Sequence, residues 1–439
     1  MIEKAHQFFN TKISAAPLVS FRLIFGALMV FSAIRFMYLG WIEDHFTEPL
    51  FHFKYYGFSW VKSASRFTLY AIHMLMILSA IGIMFLQGIA YRIAAVVLFL
   101  TFTYTELIDL TYYLNHYYFV SLICFLLIFM PSYVSPFSNL KNTQIKRSSI
   151  FILKAQIAIL YVYAGLAKIN YEWLIEALPL KIWLPANDNI FLLGPLFAWK
   201  YSPYIFSWAG MLYDTFIVLF LVYTPTRVWA YLTVILFHSL TGILFQIGVF
   251  PLVMIGIASI FFSDAWHVKL VRFFVKEKAP VPKQNSPSSN YTLFNYLILG
   301  YLVFQVLFPW RYVLYPGNLF WTEEGYRFSW RVMLMEKAGT ATFYVKDNKT
   351  GREGIVNNTE FLNPHQEKQM AMQPDMILQF AHFLGQYYES KGMHKPSVRA
   401  EVYVTLNARP SRLLIDPNVD LMKEKDSFKP KNWLIHYKD

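Results

Sequence analysis

Residues 161–173 read YVYAGLAKINYEW and set Lys168 at the end of an apolar run. Residues 149–166 before it are almost wholly apolar, and Asn170, Glu172 and Trp173 follow at once. A run of that length crosses a bilayer as a helix, and polar groups with an aromatic beside them mark where it meets water. Ala164 and Gly165 allow a neighbouring helix to approach closely. A lysine at that depth has two readings. Either it extends its ammonium to the headgroups and does nothing more, or it loses hydration, its pKa falls, and a neutral amine can accept a proton.

The whole chain agrees with the membrane setting. Of its 439 residues 56% are hydrophobic, 19% aromatic and only 15% charged, with mean hydropathy +0.36; a soluble domain carries about 25% charged residues. Apolar runs predict spans near 17–37, 67–86, 90–108, 117–131, 149–167, 206–223, 226–245, 247–262 and 291–309, nine in all, the eighth short enough to be re-entrant. The polar start MIEKAHQFFNTKISAAP lacks the pattern of a cleavable signal peptide. Cys124 is the single cysteine, so an intramolecular disulfide is excluded.

Loop charge orients the spans. The N-terminus and the even loops carry Lys4, Lys12, Arg92, Lys141, Lys146, Arg147, Arg227, Lys269, Arg272, Lys276, Lys278 and Lys283, while the short odd loops near 109–115 and 246–250 carry neither Lys nor Arg. The longer odd loops, 38–66 and 168–205, mix Lys54, Lys62, Arg66, Lys181 and Lys200 with Glu43, Asp44, Glu48, Glu172, Glu176 and Asp188. The positive-inside bias places the N-terminus in the cytoplasm and the C-terminal part outside. It also accounts for much of the net charge of +12, so a nucleic-acid partner is not needed and no recognition motif for one is present. The Pro/Ser/Asn-rich KAPVPKQNSPSSN at 278–290 is a cytoplasmic linker. The expected architecture is an all-α polytopic membrane domain of eight or nine transmembrane helices over 1–310, then a small α+β extracytoplasmic domain over 311–439. In the latter, 340–346 and 352–356 flank a DNKTG turn as a hairpin, 375–390 has helical spacing, and 398–406 alternates as a strand.

Ionisable groups at membrane depth are costly, so each is a candidate until explained. Snorkelling accounts for Arg22, and charge pairing for Glu106 and Asp109. Asp214, inside FSWAGMLYDTFIVLFL, must be paired, protonated or facing a cavity. Asn115 and His116 open the fourth span and His238 lies in the seventh; by the topology above, all three share the outward half of the bilayer with Lys168. They form either a common cavity or a set of separate helix–helix hydrogen bonds. Two histidines without H-x-x-x-H spacing or acidic ligands make a poor metal site, and G-x-S-x-G and Gly-rich phosphate loops are missing.

Several long segments, in order, resemble the vitamin K-dependent gamma-carboxylase family and its bacterial members built on a horizontally transferred transmembrane domain. They are FRLIFGALMV (21–30), TYYLNHYY (111–118), AGLAKINYEW (164–173), LFHSLTGILFQIGVFPLVM (236–254), the segment 308–334 from FPWRY to FSWRVML, TATFYVKDNKTGREG (340–354) and RLLIDPNVDL (412–421). The resemblance implies an enzyme that oxidises a reduced naphthoquinone, vitamin K or a menaquinol-like ring, with O2 to its epoxide. The base so produced deprotonates a glutamyl residue, which takes up CO2. It implies Lys168 as the initiating base and His116 as a second catalytic group, with Asn115, His238, Trp330 and Met333 contacting the cofactor, and it implies no metal. The partners it implies are membrane lipid, the quinone and a Glu-containing exported peptide or protein, at a bacterial inner membrane. Two positions depart from the family: Tyr312 follows Arg311 where a histidine is common, and Met335 stands in place of another. Quinol epoxidation without carboxylation, or a non-catalytic quinone- or lipid-binding protein, are the alternative readings.

Overall fold

The computed structural model describes residues 7–245, 247–276 and 291–437, with side chains of the last segment from 295. The linker at 278–290, Lys4 and Gln246 lie outside the described residues. All nine apolar runs are helical. Seven helical stretches among the described residues are long and apolar enough to cross a membrane. Six of these are helices α1 (Ala16–Tyr38), α2 (Arg66–Phe85), α3 (Gly88–Ile108), α5 (Arg147–Ala167), α6 (Ser202–Val222) and α7 (Arg227–Phe245). The seventh, Asn295–Leu314, runs from α10 (Tyr291–Leu307) into a 3-10 turn. Between them α4 (Asn115–Ile128) and α8 (Phe250–Ala258) are shorter, so of the nine expected spans two do not cross by length alone. A short α9 (Asp264–Phe274) follows α8.

Arg22 corrects the snorkelling expectation. It is fully buried, and its guanidinium donates to the carbonyls of Ile83 (2.7 Å), Val134 (2.7 Å) and Leu86 (2.9 Å) while lying 3.9 Å from the Tyr91 ring centroid. Ile83 and Leu86 sit at the C-terminal end of α2, where helix carbonyls have no intrahelical partner. The arginine therefore does the capping that water would do elsewhere. Arg22→Leu is expected to unfold the detergent-solubilised protein several degrees earlier, since each buried group left unpaired costs about 1–3 kcal/mol; an unchanged melting temperature would show that water replaces the guanidinium.

Helices α5 and α6 approach as the small residues anticipated. A Cβ added at Gly165 would lie 2.8 Å from the Thr215 Cα, closer than real Cβ atoms come. That contact brings Asp214, one residue before Thr215, against the last turn of α5.

The C-terminal unit carries strands β1 (Lys337–Lys346), β2 (Glu353–Ile355), β3 (Ser397–Leu406) and β4 (Arg412–Leu413), which form an antiparallel sheet in the order β2-β1-β3-β4. Period-two alternation buries Val398, Ala400, Val402 and Val404 on one face. Against that face lies α11 (Pro374–Ser390) with Ile377, Phe380 and Leu384 buried, the Phe380 ring edge-on to Phe343 at 5.1 Å. The unit is bonded to the loops of the helical part. Gln366 donates to Asp109 (2.7 Å) and to the Phe51 carbonyl (2.8 Å), and Arg409 pairs with Glu172 and Glu176 just after Lys168.

Candidate functional site

Lys168 is the C-cap of α5 and is 6% exposed. Its ammonium does not reach for water. Nζ lies 2.7 Å from Asp214 Oδ2 and 3.2 Å from the Ala164 carbonyl, with the Trp173 ring 5.4 Å away. The chain beyond it is held in place: the Asn170 side chain accepts from the Trp173 N–H, and the Trp173 indole donates to the Ser207 carbonyl at 2.9 Å. Asp214 is thus paired, one of the three outcomes its position allowed. Desolvation alone described a solitary amine. With a carboxylate as partner, Lys168 is one half of a hydrogen-bonded pair across which a proton can be shared.

The pair opens into an apolar cavity of about 310 Å³ whose walls include Trp173, Gly210, Tyr213, His238, Phe250 and Met333. His238 Nε2 is 2.8 Å from the Tyr161 hydroxyl, and its Nδ1 is buried with no hydrogen-bond partner among the described residues. An orphaned ring nitrogen in an apolar cavity is costly unless something else occupies the space.

Asn115 and His116 line a second, more polar cavity of about 580 Å³, which also contains Arg35, Arg331, Lys368 and Met335. The His116 ring stacks on Phe250 with centroids 4.8 Å apart, and Phe250 meets His238 edge-on at 5.9 Å. Phe250, Val332 and Met333 line both cavities. The expected common cavity is therefore two adjoining ones that share a wall: Lys168 and His238 face one, Asn115 and His116 the other.

Asn115 is committed to backbone. Its amide donates to the Arg331 carbonyl (2.8 Å) and accepts from the Tyr113 hydroxyl (3.0 Å), which itself accepts from the Phe328 N–H (2.7 Å). The segment so held is strained: Phe328, Trp330 and Met333 have φ of 60°, 59° and 52°. Non-glycine residues in this region cost about 1 kcal/mol or more each and persist only where surrounding contacts impose them. The result presents Met333 to both cavities. Trp330 does not reach either; it is fully buried and stacks on Tyr118 at 4.9 Å.

Two contributors carry no signal that singles them out in the sequence: Phe250 is like any membrane phenylalanine, and Arg331 shows only as a charge. Arg35, near the far end of the first span from Arg22, is a candidate by its depth alone. The Arg35 side chain makes no hydrogen bond or ion pair among the described residues and lies over the Trp41 ring at 4.6 Å. Arg331 lies over Tyr312 at 4.2 Å, and its Nε is buried without a hydrogen-bond acceptor. No group of three or more His, Cys, Asp or Glu among the described residues has an arrangement able to hold a metal ion.

Residues 10–266 match the family model of the HTTM domain, and residues 290–439 match that of the lumenal domain of vitamin K-dependent gamma-carboxylase. No solved structure matches the chain. With seven helical stretches able to cross a bilayer, these matches describe an integral membrane protein with an extracytoplasmic domain.

Proposed function

Since the chain belongs to the vitamin K-dependent gamma-carboxylase family, we propose that it oxidises a reduced naphthoquinone in the Lys168 cavity and carboxylates a glutamyl side chain presented in the adjoining one. The observation that carries this reading is the buried Lys168–Asp214 pair opening onto an apolar cavity that also holds a histidine nitrogen without a hydrogen-bond partner among the described residues. The residues present fit a reduced naphthoquinone: apolar and aromatic walls suit the ring, Lys168 suits a phenolic hydroxyl, and His238 Nδ1 suits the second ring oxygen. When bound, the reduced ring supplies the oxidation, in which it and O2 become the epoxide and water while a base forms that is strong enough to take a glutamyl γ-proton, the carbanion then adding CO2.

The chain's own residues do the rest. With the shared proton on Asp214, the Lys168 amine takes the proton of a hydroquinone O–H. Removal from water strengthens every such interaction and suppresses loss of the base to solvent. Phe250 and Met333 form the boundary across which base and carbon acid meet. On the polar side Arg35 and Arg331 have no carboxylate of their own, and they suit the carboxylate of a glutamyl substrate. His116 stands at that boundary as the second catalytic group, and Asn115 positions the 328–333 backbone. The orientation that goes with this reading has the N-terminus in the cytoplasm and the sheet-bearing unit outside, at a bacterial inner membrane. The quinone then arrives through the lipid and the glutamyl substrate as an exported peptide or protein.

A second reading, epoxidation without carboxylation, is favoured by one observation. The family's histidine positions hold Met335, which lines the polar cavity, and Tyr312, which lies against Arg331 of its wall, and neither offers an imidazole. Ring binding is tested at Gly210, where an added Cβ meets only Trp173, at 4.0 Å. Gly210→Phe is expected to fill the Lys168 cavity and abolish naphthoquinone quenching of tryptophan fluorescence while the protein stays folded. Unchanged quenching would place the ring elsewhere.

A further inference from the structure

A third cavity, of about 840 Å³, lies apart from Lys168 and its walls. Its larger part is apolar and aromatic, lined by Phe99 of α3, Leu122 and Phe125 of α4 and Tyr301 and Phe304 of α10. At its other end it meets residues of the sheet-bearing unit and the segments that enter it. There the charges divide into those that are matched and those that are not. Arg327 pairs with Asp375, and Lys431 lies 3.6 Å from Glu324. Among the described residues Arg311 has no acidic partner; its guanidinium donates to the Phe308 and Arg327 carbonyls and lies 4.2 Å from the Phe308 ring centroid. Asp426 has no ion pair within 4 Å among the described residues; burial and the nearby Asp375 push its carboxyl above the usual range, against the weaker opposite pull of Lys431, Arg327 and the Ser427 N–H. Deeper in the apolar part, Glu106 lines the same cavity with no hydrogen bond or ion pair among the described residues, so the charge pairing expected of it is not made.

Among the described residues, an arginine without an acidic partner and an acid outside ion-pair distance of any cation, at the polar end of an otherwise apolar cavity, are complementary to a zwitterion with a hydrophobic chain. We propose that this cavity binds a glycerophospholipid with an aminoethyl phosphate head, that is, a phosphatidylethanolamine. Arg311 receives the phosphate, Asp426 the primary ammonium, and the aromatic walls an acyl chain. Glu106, in its protonated form, donates to an ester carbonyl. An anionic lipid would set its second negative group against Asp426, and a neutral isoprenoid would leave the Arg311 guanidinium without an anion, which is costly where water is scarce. The cavity shares no wall with the Lys168 cavity but has Leu110, Tyr113, Glu323 and Arg327 in common with the polar one; lipid binding there is read without any turnover.

The full chain, purified in mild detergent, is exchanged into nanodiscs of equal phosphatidylethanolamine, phosphatidylglycerol and phosphatidylcholine, re-extracted, and its retained lipid counted by native mass spectrometry. Wild type is expected to keep one phosphatidylethanolamine in preference to the other two. Arg311→Gln should lower that retention about tenfold, the effect of losing one charge-assisted hydrogen bond. Asp426→Asn should shift preference toward phosphatidylglycerol. Ser121→Phe, which fills the apolar part without touching a charge, should lower retention of all three, whereas Lys168→Ala should leave it unchanged. Equal retention of the three lipids, retention unaffected by Arg311→Gln and Ser121→Phe, or recovery of a quinone from this site would overturn the proposal. Melting curves of each variant separate loss of lipid from loss of fold.

Discussion

Lys168→Ala is expected to lower naphthohydroquinone epoxidation by about 10²–10⁴-fold, the usual worth of one positioned proton acceptor, and to lower any carboxylation with it. The amine is 2.7 Å from the Asp214 carboxylate and almost completely shielded from solvent, so bulk water is not placed to take over the proton. Lys168→Arg should fail nearly as badly, because a guanidinium does not give up its proton in this range and demands a planar set of acceptors. Ring binding, read by tryptophan quenching, should survive both changes to a large extent, since most of the cavity wall is apolar. If epoxidation in Lys168→Ala matched wild type, the amine would be only a structural partner of Asp214.

The second large effect falls on stability. Asp214→Asn leaves the Lys168 ammonium buried without a counter-charge, and losing one member of such a pair costs about 3–5 kcal/mol. The single variant should melt far earlier, whether or not the protein turns over. Replacing both members by apolar residues, Lys168→Met with Asp214→Leu, removes both charges and should restore most of that stability. Activity should not return. A double variant that melted like the single one would show that the pair is not the interaction that stabilises the contact between α5 and α6.

What could be read from the amino acids depended on whether the information was local. Hydropathy located Lys168 at a helix end because the apolar run and its polar successor are adjacent in sequence. The DNKTG hairpin and the alternating 398–406 strand were legible for the same reason. Asp214 was recognisable as a group needing a partner, but nothing along the chain says which helix supplies it, since α5 and α6 meet through Gly165 and a tertiary contact. Arg22 went astray because a span-end arginine next to water and one capping carbonyls of another helix look alike until α2 is placed. Trp330 entered only through resemblance to relatives, and its place against Tyr118 follows from the left-handed turns of 328–333, which hydrophobic pattern does not encode. The division of one expected cavity into two rests on Phe250, an unremarkable side chain by composition.

The most direct measurement follows both products in one reaction. Wild-type protein in lipid nanodiscs is given a reduced naphthoquinone, O2, labelled bicarbonate and a glutamyl peptide, beside Lys168→Ala and Gly210→Phe. Quinone epoxide and label in the peptide are expected from wild type, with both lost in the two variants. Epoxide without label would leave oxidation as the activity of the Lys168 cavity. No epoxide from folded wild type, or equal epoxide from wild type and Lys168→Ala, would contradict Lys168 as the base.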